Sequence, residues 1–127
     1  MTDTTPQESP VLLDIVDQHI AVVTLNRPQA HNAVSSALTE TMEAHLIRIE
    51  EDPAIRVCIL AAAGDKTFCA GADLKEVSSG QPRKLSTERG GFAGFVDAPR
   101  AKPWIAAVTA SAFGGGLELA LACDMIV

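Results

Sequence analysis

Tyrosine is absent from this 127-residue chain, and aromatic residues make up only 4% of it. That excludes a platform on which single-stranded nucleic acid could stack its bases. Basic residues are also few: ten Lys and Arg stand against sixteen Asp and Glu, a net charge of −6. Nonspecific binding to nucleic acid or to an anionic membrane needs a basic surface, so neither partner fits. Cysteine occurs three times, as Cys58, Cys69 and Cys123, with no CxxC pair. An odd count without such spacing argues against a disulfide framework or a zinc site and fits a reducing cytoplasm. His19, His31 and His45 are isolated, without metal-ligand spacing, and read as solvated side chains. No metal is expected. A long uninterrupted apolar run is lacking too. The most apolar stretch, Trp104 to Val127, carries Glu118, Asp124 and three consecutive glycines, so it reads as buried core and not as a membrane span. Met1 to Pro10 lacks the basic start and apolar run of a signal peptide and reads as a loose, disordered tail.

What is present is an ordinary globular composition, 47% hydrophobic and 20% charged, of a length that suits one domain. Val11 to Asp17 and Ile20 to Leu25 are β-branched runs around a polar break and predict a strand pair. Pro28 closes the second strand, because proline cannot donate to the ladder. Ser35 or Ser36 can cap a helix with Glu40 in its first turn, and Leu38, Met42, Leu46 and Ile49 recur on one face. Asp52-Pro53 ends it. Val57 to Ala62 is a short continuous apolar run, as in a strand covered on both faces. Strand, helix, strand predicts a parallel crossover and an α/β class.

Further on, Gly64 to Ala72 reads as a loop, with a short helix beginning near Asp73. Ser78 to Gly91 reads as a mobile surface loop and Phe92 to Asp97 as a short helix. Trp104 to Val108 reads as a buried strand, Leu117 to Cys123 as a helix opened by Gly114-Gly115-Gly116, and Asp124 to Val127 as the start of another strand. Ending on Met125-Ile126-Val127, inside an apolar run, the chain reads as cut short rather than as a finished domain.

Two segments can carry chemistry. Phe68-Cys69-Ala70-Gly71-Ala72-Asp73-Leu74 and Ala112-Phe113-Gly114-Gly115-Gly116-Leu117-Glu118 each follow a strand and lead into a helix. A helix start leaves N–H groups without intrahelical partners, and small residues let a ligand oxygen approach them. Two such donors aimed at one point make an oxyanion hole; ordinary strand-to-helix turns packed with small residues are the plainer reading. Glu118, among Leu117, Leu119, Ala120 and Leu121, is expected to be half-buried, where a carboxylate is costly without a task. Oxyanion donors with a carboxylate one turn away suit proton transfer next to a carbonyl. Nucleotide-loop patterns fail: from Gly114 the GxGxxG spacing ends on Leu119, and no GxxxxGK[ST] occurs. Cys69 has no evident base and reads as packing. Between positions 75 and 102, six cations (Lys75, Arg83, Lys84, Arg89, Arg100, Lys102) oppose three acids. That excess reads as a solvated loop, with a basic rim for ligand phosphates as the sharper alternative.

Leu25-Asn26-Arg27-Pro28 with Asn32-Ala33, then Phe68 to Glu76, then Gly114 to Ala120 with Cys123-Asp124, resemble the enoyl-CoA hydratase/isomerase (crotonase) family, in its order and spacing. The resemblance covers residues 11–127, as the N-terminal part of a single domain and about the first half of a family member. It implies an incomplete crotonase-like spiral of ββα units, assembling as trimers or hexamers when complete. It implies an acyl-CoA thioester as substrate, with no cofactor beyond the coenzyme A it carries, in fatty acid metabolism. The oxyanion hole would be the N–H groups of Ala72 and Gly115, and Ala30, Ala70, Ala72, Asp73 and Leu74 would lie along the CoA. Glu118 matches one of two glutamates that hydratases use; the second would lie beyond Val127. Thr109-Ala110 stands where Asn-Gly is frequent, and His31 where an apolar residue is common. The implied activity is hydration of a 2-enoyl-CoA. The rivals are isomerisation by the same type of site, or a non-catalytic homologue.

Overall fold

The computed structural model describes residues 8–80 and 82–127, with the side chains of all of these but Pro82 and Arg83. Most of the expected tail, residues 1–7, lies outside them. Its last residues are anchored: the Pro10 carbonyl accepts from Asn26 N–H at 2.8 Å, and the Ser9 carbonyl from the Asn26 amide at 3.0 Å.

β1 (Val11–Val16) and β2 (Ile20–Leu25) pair antiparallel in full register. Asp17, Gln18 and His19 join them, and His19 N–H donates to the Val16 carbonyl across Asp17 and Gln18, whose φ of 50° and 68° are the two positive values that a turn matched to strand twist requires. α1 (Ser36–Glu51) follows. The Ser35 hydroxyl accepts from Leu38 N–H at 3.1 Å, and Leu38, Met42, Leu46 and Ile49 are buried as their spacing predicts. Each such side chain contributes about 1.5–3 kcal/mol relative to exposure. Glu40, however, lies beyond the first turn, which holds no acid of its own. The carboxylate at that end comes from Glu76, which accepts from Ser36 N–H at 3.0 and 3.1 Å.

Two strand–strand–helix turns complete the chain and stack on each other. The first is β3 (Val57–Ala62), β4 (Thr67–Cys69) and α2 (Leu74–Ser78). Between the turns, β5 (Ser86–Thr87) and β6 (Gly91–Phe92) form a small antiparallel hairpin. The second turn is β7 (Trp104–Ala106), β8 (Ser111–Ala112) and α3 (Gly115–Leu121), with β9 (Met125–Ile126) after it. The main sheet runs β1-β2-β3-β7-β9, with every pair after the first parallel, and β4 pairs parallel with β8 in a second sheet. Trp104 and Phe95 meet edge to face at 5.1 Å in the core.

Three expectations are corrected. The stretch Gly64 to Ala72 is not all loop, since it contains β4. Ser78 to Gly91 is not an open loop: it holds a 3-10 turn at Pro82–Leu85, with Leu85 buried, and strand β5. Phe92 to Asp97 forms tight turns, not a helix, because Ala93 and Gly94 adopt φ of 60° and 66°. A Cβ on Gly94 would stand 2.8 Å from the Thr39 carbonyl oxygen, so this turn lies directly on α1. Among the described residues no helix is long and apolar enough to cross a membrane.

Candidate active site

Parallel pairing of β4 with β8 carries the two small-residue loops off the same end of one sheet, side by side. Gly71, at φ +94°, touches the second loop: a Cβ there would stand 3.0 Å from the Gly115 nitrogen and 3.2 Å from the Phe113 carbonyl oxygen. Gly116 packs so closely on β4 that a Cβ would land on the Cys69 carbonyl oxygen. Phe113 N–H donates to that same oxygen at 3.0 Å.

Backbone pairing sets the direction of the Ala72 N–H. Val34 N–H donates to the Gly71 carbonyl at 2.8 Å, and Asp73 N–H donates to the Val34 carbonyl at 2.9 Å. Successive peptide groups of an extended segment point to opposite sides, so the Ala72 N–H faces away from Val34. It has no hydrogen-bond acceptor among the described residues. Neither does the N–H of Gly115, the first residue of α3, where a helix leaves its donors unpaired.

Ala30, Ala70, Ala72, Asp73 and Leu74 come together as the lining of one cleft of about 390 Å³, with Arg27, His31 and Lys75. Side chains far apart in sequence hold this lining. Arg27 pairs with Asp73 at 3.2 Å and donates from the same nitrogen to the Ala33 carbonyl at 2.5 Å. Asp73 also caps α2, accepting from Lys75 N–H at 3.0 Å. Asn32, fully buried at φ 54°, accepts from Arg27 N–H at 2.8 Å and donates to the carbonyls of Ala63 and Thr67 at 3.0 and 3.1 Å. Arg27 and Asn32 were legible only as parts of a motif; their joining role appears when the chain folds.

Glu118 departs from expectation. Gly116, Leu119 and Ala120 form the buried face of α3, while Glu118 is exposed, as are Leu117 and Leu121. The helix is apolar all round, but only one side meets β4 and β8. Glu118 is three residues on from Gly115 and outside the lining of the Ala72 cleft. His19 and His45 are corrected as well. Both are half-buried and donate to the carbonyls of Ala54 and Val11, at 2.7 and 2.8 Å. His31 remains exposed, with Nδ1 3.0 Å from the Thr67 hydroxyl. The basic stretch does not form one rim. Arg100 lies over the Phe95 ring and donates to the carbonyls of Phe95 and Val96, and Lys102 donates to those of Ile49 and Asp52 at the end of α1. Among the described residues of that set, only Lys75 lines the cleft.

The three cysteines are unpaired. Burial pushes the Cys69 thiol above its ordinary value, and the thiol donates to the Asn32 carbonyl at 3.1 Å. Burial likewise raises Cys58 and Cys123, each to about 11. A nucleophilic role for Cys69 finds no support in this setting, because a reactive cysteine needs its thiolate.

Stacked ββα turns, with paired small-residue loops at one end, define a spiral α/β fold with a cleft at its edge. The chain belongs to the enoyl-CoA hydratase/isomerase family, whose sequence model matches residues 16–127. Its fold is a partial crotonase spiral. It is 43% identical over 106 residues to a carnitinyl-CoA dehydratase of Proteus mirabilis, covering 83% of this chain and 40% of that protein. It is 42% identical over 119 residues to an (E)-benzylidenesuccinyl-CoA hydratase of Thauera aromatica, covering 91% and 45%. The crystal structure of enoyl-CoA hydratase EchA1 from Mycobacterium marinum superposes with a TM-score of 0.84 at 42% identity, covering 94% of this chain and 45% of that one. The chain thus spans less than half the length of these relatives.

Proposed function

We propose that this chain supplies the oxyanion hole and one catalytic carboxylate of an acyl-CoA hydratase. The observation that carries the reading is that two loops brought into contact at Gly71 each carry a backbone N–H without an acceptor among the described residues, that of Ala72 and that of Gly115. In the reaction, water adds its oxygen to C3 of a 2-enoyl-CoA and a proton reaches C2. Negative charge gathers on the thioester oxygen between these steps. Two preorganised backbone donors stabilise that charge more than they stabilise the starting carbonyl, which is what lowers the barrier. Glu118, exposed one turn into α3, is accessible to water and serves as the group that activates it or moves the proton. Ala30, Ala70, Asp73 and Leu74 hold the CoA portion along the cleft, while the Arg27–Asp73 pair keeps the Ala72 segment in place.

The reading calls for no cofactor beyond the coenzyme A of the substrate. Assembly into trimers or hexamers is part of it, supported by family membership. Three unpaired cysteines support a reducing, cytoplasmic setting. The test is to incubate the protein with a 2-enoyl-CoA in deuterated water and identify the product. A 3-hydroxyacyl-CoA with deuterium at C2 is the expected result. A product that keeps its double bond, moved along the chain, would replace hydration with isomerisation. Unchanged substrate that nonetheless binds would leave a CoA-binding homologue.

A further inference from the structure

Three consecutive glycines, Gly114 to Gly116, give the second loop little conformational preference of its own. Gly114 precedes α3 at φ 48° with no side chain to cap the helix, and a Cβ there would meet nothing within 4 Å. Gly116 is pinned on the Cys69 carbonyl. Gly115, whose N–H has no acceptor among the described residues, lies between the open glycine and the pinned one. A side chain from another segment stands against it. A Cβ on Gly115 would fall 2.6 and 2.7 Å from Cε1 and Cζ of Phe92, with Gly71 Cα next at 3.4 Å. The Phe92 ring thus fills the place of the side chain that residue 115 lacks.

Phe92 itself sits on an unusual mount. Gly91, Ala93 and Gly94 have φ of 65°, 60° and 66°, so the left-handed region is used on both sides of it, once by a fully buried alanine. Such a conformation persists at a non-glycine residue only where the surroundings enforce it, and these positions concentrate at functional sites. Here Ala93 N–H donates to the Leu85 carbonyl at 2.8 Å, and the Phe92 carbonyl accepts from the N–H groups of Phe95 and Val96 at 3.0 and 3.1 Å. We propose that Phe92 is the positioning residue for the Gly115 N–H, its ring fixing the direction of the second oxyanion donor. The proposal rests on the acyl-CoA reading above and deepens it. Phe92 acts through Gly115, by preorganisation: a donor that has to reorient as charge develops returns much of what it contributes. Without the ring, the glycine backbone samples other directions and polarises the thioester oxygen less. CoA still binds, because Phe92 is not part of the cleft lining that holds it.

The test uses dimethylaminocinnamoyl-CoA, a donor–acceptor chromophore whose absorption moves to the red when its thioester oxygen is polarised. It is bound at saturation to the protein, to Phe92→Leu and to Phe92→Ala, with CoA affinity measured separately. The expected result is a red shift with the unsubstituted protein, part of that shift with Phe92→Leu and little of it with Phe92→Ala, at nearly constant CoA affinity. In turnover, Phe92→Ala should lower kcat by about 10–100-fold, less than deletion of a donor outright. Saturated, folded protein reports donor position apart from stability, which urea unfolding measures alongside. A ligand-free measurement stands beside it: in NMR spectra the α-hydrogens of Gly115 carry a ring-current displacement that Phe92→Leu reduces. An unchanged red shift in Phe92→Leu, whether or not Phe92→Ala folds, overturns the proposal and leaves the acyl-CoA reading intact. So do Gly115 α-hydrogens that Phe92→Leu does not move, and so does a loss of CoA affinity parallel to the loss of shift, which would make Phe92 a support of the cleft alone. Absence of binding, or binding to the unsubstituted protein without a red shift, overturns the oxyanion reading and the proposal with it.

Discussion

The loops after β4 and β8 occupy matching places in successive turns of the spiral, yet opposite means hold them. Polar side chains from elsewhere fasten the first: Arg27 on Asp73, Asn32 on the carbonyl of Thr67, and Glu76 on the start of α1. Bare backbone in close approach fixes the second, with Gly115 against Gly71 and the Phe92 ring and Gly116 against the Cys69 carbonyl. Removing atoms should therefore damage the first loop, and adding atoms the second. Function divides along the same line. Both loops offer a backbone N–H, but only the second leads into a helix bearing a carboxylate proposed to do chemistry.

The largest effect tests that division. Glu118→Gln, in the active protein, should lower kcat by about 10²–10⁴-fold, the usual share of a positioned acid or base, with little change in acyl-CoA affinity. Asp73→Asn on the first loop should mainly weaken acyl-CoA binding and, because the Arg27–Asp73 pair also holds the Ala72 donor, lower kcat by much less than Glu118→Gln does. Steady-state kinetics with a separate affinity measurement decides between them. Near-normal turnover in Glu118→Gln would return this exposed residue to the surface and erase the division.

Next comes the close approach itself. Gly116→Ala forces a methyl group onto the Cys69 carbonyl, and since backbone cannot swing aside like a flexible side chain, a loss of about 3–4 kcal/mol is expected. Gly80→Ala, after α2, meets a positive φ, of 80°, with nothing within 4 Å of its added Cβ, so backbone strain alone costs about 1–2 kcal/mol. Urea unfolding of the two variants gives the difference. Equal losses would mean that the second loop is not held by contact.

Asn32→Ala probes the first loop by deletion. It strips partners from the carbonyls of Ala63 and Thr67 and from Arg27 N–H, and it places alanine at a left-handed position. A loss of about 2–3 kcal/mol is expected from these buried groups. Asn32→Asp keeps the shape and the acceptor but turns two donors into an anion facing carbonyl oxygens, and it should be at least as damaging. Chemical denaturation measures both. A loss under about 0.5 kcal/mol for the alanine variant would show that the first loop does not depend on this amide.

The same contrast explains what could be read from the sequence. The second loop was legible because three glycines before an apolar helix are a local signal, and α1 was legible because its buried face repeats at helical spacing. The strands β4 and β8 were not. They are three and two residues long, and their pairing lies in the chain's return after a whole turn of the spiral. The fastening of the first loop was hidden for the same reason: Arg27 and Asp73 are 46 positions apart, and Ser36 and Glu76 are 40. The expected short helix at Phe92 failed on two positive φ angles, one of them at an alanine that no propensity scale would place there. Burial of Glu118 was misjudged because hydrophobic neighbours in sequence were taken for hydrophobic surroundings in space.

The smallest effect concerns the thiols. Cys69 belongs to the first loop and is fully buried, whereas Cys123 follows α3 and is half-buried. Burial raises Cys58 and Cys123 from the ordinary 9.0 to about 11, and it raises Cys69 as well. Below pH 9 these thiols are protonated in the folded and unfolded chains alike, so they add no pH dependence there. Between pH 9 and about 11 the unfolded chain releases protons that Cys58 and Cys123 keep in the folded one. The unfolded state then binds fewer protons, and folding stability falls as pH rises. Denaturation midpoints measured across that range should decline, and Cys58→Ala should flatten the slope even though it also lowers the plateau by opening a small cavity. A thiol-specific reagent near neutral pH should modify the folded chain slowly at all three positions, and Cys69 slowest, because its thiol is occupied by the Asn32 carbonyl. Asn32→Ala keeps that main-chain carbonyl but frees the segment the side chain fastens, so it should speed modification of Cys69 while leaving Cys123 unchanged. Equal acceleration at both cysteines would mean that the two loops loosen together and that the contrast between them does not hold.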